Sequence, residues 1–143
     1  MSTLSPRQIS GSDGGLKEAL IAAELPTDDI LESGRRFFSF TNAGSVIGYG
    51  GFEPHGAYAL IRSLVVAPEA RGHGYGRAIA EVLLERARSA GCREAFLLTT
   101  TAAEFFRHLG FEVTARDHAP IAILETPQAK TICSTAALLH RTI

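Results

Sequence analysis

The stretch Ser63-Leu-Val-Val-Ala-Pro-Glu-Ala-Arg-Gly-His-Gly-Tyr-Gly-Arg77 decides how the chain is read. Leu60 to Ala67 is an apolar run with the length of a buried strand, Pro68 to Ala70 is a turn, and Gly72 to Gly76 sets a glycine at every second position before a helical pattern. Those glycines leave no Cβ to hold a ligand away, so backbone N–H groups from Gly72 to Arg77 can converge on an anion. The helix behind them adds unpaired first-turn donors and the positive end of its dipole. Two common phosphate motifs do not fit. A dinucleotide loop needs a third glycine at position 77, where Arg77 stands, and an ATP-type loop needs Lys and then Ser or Thr after Gly76, where the chain has Arg77-Ala78.

Downstream of the loop, Ile79, Val82, Leu83 and Ala87 recur at helical spacing with Glu81, Glu85, Arg86 and Arg88 on the other face, and Gly91 ends the helix. A strand over Ala95 to Thr100, a short helix from Ala102 to Leu109 and a strand from Phe111 to Ala115 follow. A further short helix runs from Pro120 to about Lys130, and a last strand lies near Ala136 to Arg141. Upstream, a strand near Arg7 to Ile9 precedes a helix from Leu16 to Leu25 that Pro26 stops, and Thr27-Asp28-Asp29 reads as the cap of a second short helix, Ile30 to Ser33. Arg36 to Thr41 and Ser45 to Glu53 form a hairpin about Asn42-Ala43-Gly44. Gly48, Gly50 and Gly51 in its second strand imply a bulge or the close approach of another element. Ala57 to Ala67 is the central strand, apolar enough to be covered on both faces, with Arg62 as its odd member. The expectation is an α/β (α+β) fold in one domain, residues 1–143, with a mixed central sheet flanked by helices.

Length and composition restrict the function classes. A chain of 143 residues has room for one real core. Its apolar fraction of 45%, charged fraction of 20% and formal charge of -1 leave no broad basic footprint, which argues against nucleic acid as a partner. No run of eighteen apolar residues is present, so no membrane association is expected and a cytoplasmic protein is the simplest reading. The two cysteines, Cys92 and Cys133, lack metal-ligand spacing and read as free thiols, with no metal expected.

Arg71-x-x-Gly74-x-Gly76 behind a strand ending Leu-Val-Val-Ala-Pro-Glu resembles the acyl-coenzyme A loop of the GNAT N-acetyltransferase superfamily, and the elements around it fall in that superfamily's order. Within it, Arg62-Ser-Leu-Val-Val, Leu98-Thr-Thr, Phe105-Phe106, Gly110-Phe111, Arg116, Pro120-Ile121 and Cys133-Ser134 look like the N-acetylglutamate-synthase-type enzymes. With Leu25-Pro26-Thr27-Asp28 added, the set looks closer still to the small N-acetyltransferases found with arsenic-resistance genes. The resemblance implies the GNAT acyl-CoA N-acyltransferase fold with splayed central strands, acetyl-CoA as cosubstrate, and direct attack by the amine of a small, amino-acid-like acceptor in a ternary complex. Relatives are often dimers, which makes a homodimer an expectation.

Residue roles carry over position by position. The resemblance implies that main-chain groups of Leu64, Val65 and Val66 hold the thioester and the pantetheine arm, with Val66 at the oxyanion. Arg71, Gly72, His73, Gly74, Tyr75, Gly76 and Arg77 take the pyrophosphate, and Thr99 and Phe106 touch coenzyme A. Phe106 stands where many members carry a tyrosine that protonates the leaving thiolate. An incoming ammonium must lose a proton, and Glu53 is the first candidate to accept it, ahead of His55. A solvated strand end or a partner for Arg62 is the competing reading of Glu53. Arg62 and Arg116 are the candidates for holding an acceptor carboxylate, with Arg35 and Arg36 behind them and Ser134 as a hydrogen-bonding neighbour; for Arg62 a buried pair with Glu53 or an outward snorkel competes. Two other functions stay open, a non-catalytic acyl-CoA-binding or sensing module and a protein N-acetyltransferase.

Overall fold

The computed structural model describes residues 4–132 and 135–143. Its strands are β1 (Ser5–Ile9), β2 (Arg36–Asn42), β3 (Ser45–His55), β4 (Tyr58–Val66), β5 (Glu94–Thr99), β6 (Glu112–Thr114) and β7 (Ala137–Thr142). Its helices are α1 (Gly14–Ala22), α2 (Tyr75–Ser89), α3 (Ala103–Arg107) and α4 (Ile121–Leu124). All described strands join one sheet in the order β1-β2-β3-β4-β5-β7-β6. Among them β4 and β5 run parallel and every other neighbouring pair antiparallel. The mixed sheet expected from the sequence is therefore present.

Helices cover both faces. On one, α2 buries Ile79, Ala80, Leu83, Leu84 and Ala87 against Phe38, Phe40, Phe52 and Ile61. The glycines of β3 make that approach possible, because a Cβ on Gly48 or Gly50 would lie 2.8 Å from Ile79 Cδ1 or Leu83 Cδ1. On the other face, α1 packs Leu16 and Leu20 on Phe37 and Val65, and α4 packs Ile123 on Leu60, Phe96 and Leu138.

Three local expectations differ from the structure. Helix α1 begins under an Asp13 cap, whose carboxylate accepts from the Leu16 N–H at 3.0 Å. It stops at Ala22, earlier than Leu25, because Leu25 N–H turns back to Leu20 O at 2.8 Å with Glu24 at φ 57, a left-handed helix ending made without glycine. Residues 30–33 form turns in place of a second helix. Asp29 does not cap them: its carboxylate is drawn inward to two guanidinium groups, a stronger partner than a backbone N–H. The helix foreseen from Pro120 to Lys130 breaks into α4 and a separate π-helical turn, Gln128–Ile132.

Candidate active site

Strands β4 and β5 pair at Tyr58, Ala59 and Leu60 and then part. Beyond Leu60, β4 keeps its pairing to β3 while β5 stays with β7 as far as Thr99 opposite Ala137. The divergence has a local cause in β4. Ser63 sits at φ 58, where the pairing to β3 shifts register between Tyr49 and Gly51. A non-glycine residue there costs about 1 kcal/mol and bends the strand as a bulge does. The edge of β4 from Ile61 to Val66 thus faces a gap of about 270 Å³, walled by Ser63 to Val66 on one side, Leu97 to Thr99 on the other, and Phe106.

The glycine-rich loop lies at one end of this gap. After the turn Pro68–Ala70, the Arg71 Nε donates to Val66 O at 3.4 Å, and Gly72 and Gly74 take φ 83 and 77. Gly74 precedes α2 with no side chain to cap it, and the first turn carries no acidic residue. Its donors therefore remain for a ligand, with the helix dipole behind them. A cavity of about 200 Å³ opens here between Val66, Arg71, Gly72, Gly74 to Arg77 and Phe105. Tyr75 is anchored by the Asn42 Nδ2, which donates to its Oη at 2.6 Å. His73 is exposed with its ring 5.8 Å from that of Tyr75, and the Arg77 side chain turns along the helix to Glu81 at 3.2 Å. Of the loop's candidates, the backbone and Arg71 face the cavity system, while the Arg77 guanidinium is engaged on the helix surface.

Behind β4 lies a buried ion cluster. Arg62 donates from Nη1 to Asp29 Oδ2 and Glu53 Oε2, both at 2.7 Å, and from Nη2 to Asp29 Oδ1 at 2.6 Å. Its Nε reaches Ser63 Oγ at 3.2 Å, and its guanidinium lies 5.4 Å from the Phe37 ring. Arg35 adds a bond to Asp29 Oδ2 at 3.0 Å and approaches Glu53 at 3.7 Å. Burial raises the Asp29 carboxyl, but hydrogen bonds and charge from Arg62, then Arg35, outweigh it and hold the group below its ordinary value. Glu53 is fully buried, lines none of the three cavities of the site, and gives its other oxygen to His55 Nε2 at 3.1 Å. The sequence reading named Glu53 and Arg62 and foresaw their pairing as one alternative. It missed Asp29 and held Arg35 only as a reserve for an acceptor carboxylate, whereas the structure engages that guanidinium with Asp29 and Glu53; the signal available for Asp29 was that one guanidinium in an apolar strand calls for more than one carboxylate.

At the far end of the gap a third cavity, of about 250 Å³, is bounded by Glu24 to Pro26, Ser63, Thr99 to Thr101, Gln128, Thr135 and Ala136. Arg116 lies outside that lining and braces it, donating to Ala129 O and Ala136 O at 2.8 Å each. The Thr99 hydroxyl accepts from Ala102 N–H at 2.9 Å and Thr101 N–H at 3.3 Å, starting α3. Phe106 packs edge-on against Phe105 and Phe111 and presents a ring without a proton to the gap. Ser134 and Cys133 lie outside the described residues. Among those described, no three His, Cys, Asp or Glu side chains gather as a metal site, and no helix is long and apolar enough to cross a membrane.

Comparison with known proteins gives this geometry a context. Over 59 residues, 41% of this chain, it is 42% identical to an amino-acid acetyltransferase of Pseudomonas syringae pv. syringae; over 60 residues it is 33% identical to one of Neisseria meningitidis serogroup A. Each match spans only 14% of the relative's length. The N-acetylglutamate synthase of Neisseria gonorrhoeae, solved with coenzyme A and N-acetyl-glutamate, superposes with a TM-score of 0.83 at 21% identity, covering 99% of this chain and 35% of that one. An IAA acetyltransferase from Bacillus cereus gives 0.74 at 17% identity over 99% of this chain and 100% of its own. Both superpositions take in nearly the whole of this chain's fold. Residues 13–111, which hold the hairpin, the parted strands, the glycine loop and Phe106, match the Acetyltransferase (GNAT) family, and the chain belongs to that family.

Proposed function

We propose that this protein transfers the acetyl group of acetyl-CoA to the amine of a small, amino-acid-like acceptor by direct attack in a ternary complex. One observation carries the reading: the three cavities adjoin in a row, each sharing wall residues with the next. The loop cavity shares Val66 and Arg71 with the gap, and the gap shares Ser63, Leu98 and Thr99 with the third cavity. A carrier whose pyrophosphate lies on the loop can thread its thioester between β4 and β5 and meet a second molecule arriving from the opposite end. Membership of the family and the partial matches to amino-acid acetyltransferases support both halves of this assignment.

In the reaction the amine nitrogen attacks the thioester carbon, the C–S bond breaks, coenzyme A departs as a thiolate and the nitrogen gives up a proton. Main-chain groups of Leu64, Val65 and Val66 line the thioester, and a Val66 donor aimed at the developing oxyanion contributes about 3 kcal/mol. Phe106 supplies no proton, so the sulfur takes one from water in the gap. Removal of the ammonium proton is assigned to water in the gap; Glu53, walled off from the cavities and held by Arg62 and His55, acts by fixing Arg62 behind β4 and is not the base. Arg62 and Arg116 serve the acceptor by holding its walls, and Ser134 remains a candidate hydrogen-bonding neighbour of the acceptor.

The test is to give the purified protein acetyl-CoA with a panel of amino acids and amino-acid-like antimetabolites and to follow free thiol. Amine-dependent thiol release is expected. Phe106 and the fully engaged Glu53 favour a second reading, an acyl-CoA-binding module. A flat trace across the panel, with coenzyme A still raising the melting temperature, would establish it in place of the first.

A further inference from the structure

Resting on the acetyltransferase reading, the lining of the third cavity narrows its occupant. Gln128 lines it at 5% exposure, and its carboxamide makes no hydrogen bond to a described residue. The sealed side-chain atoms without a hydrogen-bond partner among the described residues are Arg35 Nε and His140 Nδ1, so the Gln128 amide is not shut in but stays open to the cavity and to a hydrogen bond from its occupant. Its neighbours are satisfied: the Thr126 hydroxyl donates to Ile123 O at 2.7 Å and accepts from Ala129 N–H at 3.3 Å. Gln128 opens the π-helical turn Gln128–Ile132, a widened geometry that recurs at functional sites. Arg116 holds that turn through Ala129 O and holds the cavity wall through Ala136 O, so the amide projects from fixed backbone.

The charges around the cavity complete the case. The side chains lining it include two ionisable groups, Glu24 and Arg62. The Arg62 guanidinium is wholly buried and held by Asp29 and Glu53, so it is not offered to a second carboxylate on the acceptor. Glu24 is exposed at the rim, where a carboxylate suits an arriving ammonium. A volume of about 250 Å³ lies below the roughly 300–1,000 Å³ of drug-sized sites, so the occupant is small.

We infer that Gln128 is the specificity-determining residue of the acceptor site. It selects an acceptor whose far end is an uncharged group that both donates and accepts a hydrogen bond, a carboxamide or a hydroxyl, over one ending in a carboxylate or a hydrocarbon. A carboxamide facing Gln128 satisfies donor and acceptor together.

The experiment compares wild type with Gln128→Leu on L-glutamine, L-glutamate and L-leucine at saturating acetyl-CoA. Wild type should favour L-glutamine in kcat/KM by at least about tenfold. In the variant that value should fall by about tenfold or more for L-glutamine and stay within about twofold for L-leucine, with the KM for acetyl-CoA unchanged. The melting temperature of the variant should hold, since the Gln128 carboxamide faces the cavity and ties down no described residue. Preference for L-glutamate, an equal loss on all three amino acids, or a clear drop in melting temperature would overturn the assignment. Should wild type turn over none of them, the acetyltransferase reading is decided separately on the wider amine panel. Calorimetry of the same amino acids on the coenzyme A-loaded protein then decides for Gln128: L-glutamine binding lost in the variant upholds it, and equal or absent binding overturns it.

Discussion

Asp29 illustrates how a single side chain can obey a distant partner over a near one. Thr27-Asp28-Asp29 carries the local signature of a helix cap, yet the Asp29 carboxylate spans inward to Arg62 in β4 and to Arg35. Nothing within a few residues announces that choice; it follows from the guanidinium that β4 buries. Glu53 was easier to find, because it lies on the neighbouring strand. Gln128 was not legible at all, since a glutamine in a short helical pattern shows its lack of partners only after the chain has folded. Asp29→Asn should destabilise the protein by about 3 kcal/mol at neutral pH in urea unfolding, by leaving buried Arg62 short of its counter-charge. Because the folded Asp29 carboxyl lies below its ordinary 3.8, its contribution is complete above that pH. It is lost as the pH falls through the folded value. The wild type should therefore lose stability below about pH 4 with a steeper slope than the variant.

At the level of elements, glycine spacing announced a tight loop before α2 and helical spacing announced α2 itself, and both stand where expected. What the spacing could not reveal was how the loop divides its labour. Gly74 is favoured for its backbone at φ 77, whereas Gly76 keeps clear of Phe105, since a Cβ there would lie 3.2 Å from Phe105 Cζ and press on that ring. Gly74→Val places a β-branched residue in the left-handed region, at about 1–2 kcal/mol. It should cut coenzyme A affinity at least tenfold by calorimetry while leaving the far-ultraviolet circular dichroism nearly unchanged. Retained affinity would move the pyrophosphate away from this loop.

Across the whole molecule, the hairpin β2–β3 and the parallel pair β4–β5 could be anticipated, but the insertion of β7 between β5 and β6 could not. That pairing joins residues far apart in the chain, and no turn signal encodes it. It matters to function because β5, committed to β7 along its length, does not follow β4 past Leu60. If the parted strands admit the carrier, hydrogen exchange with and without coenzyme A should show protection at Leu64 to Val66 and at Gly72 to Arg77. The backbone of β1 should be unaffected. Protection confined to the outer face of α2 would place the carrier elsewhere.

The Arg62 cluster has one more consequence. It ties the chain before β2 to the middle of the sheet by four opposite charges shut away from water. Such a tie does not yield by degrees, because displacing any member strands another in an oily interior. Breeding this protein toward bulkier amines would therefore have to carve room from the side of Thr135 and Ala136, leaving the clasped side as the fixed jaw of the vice.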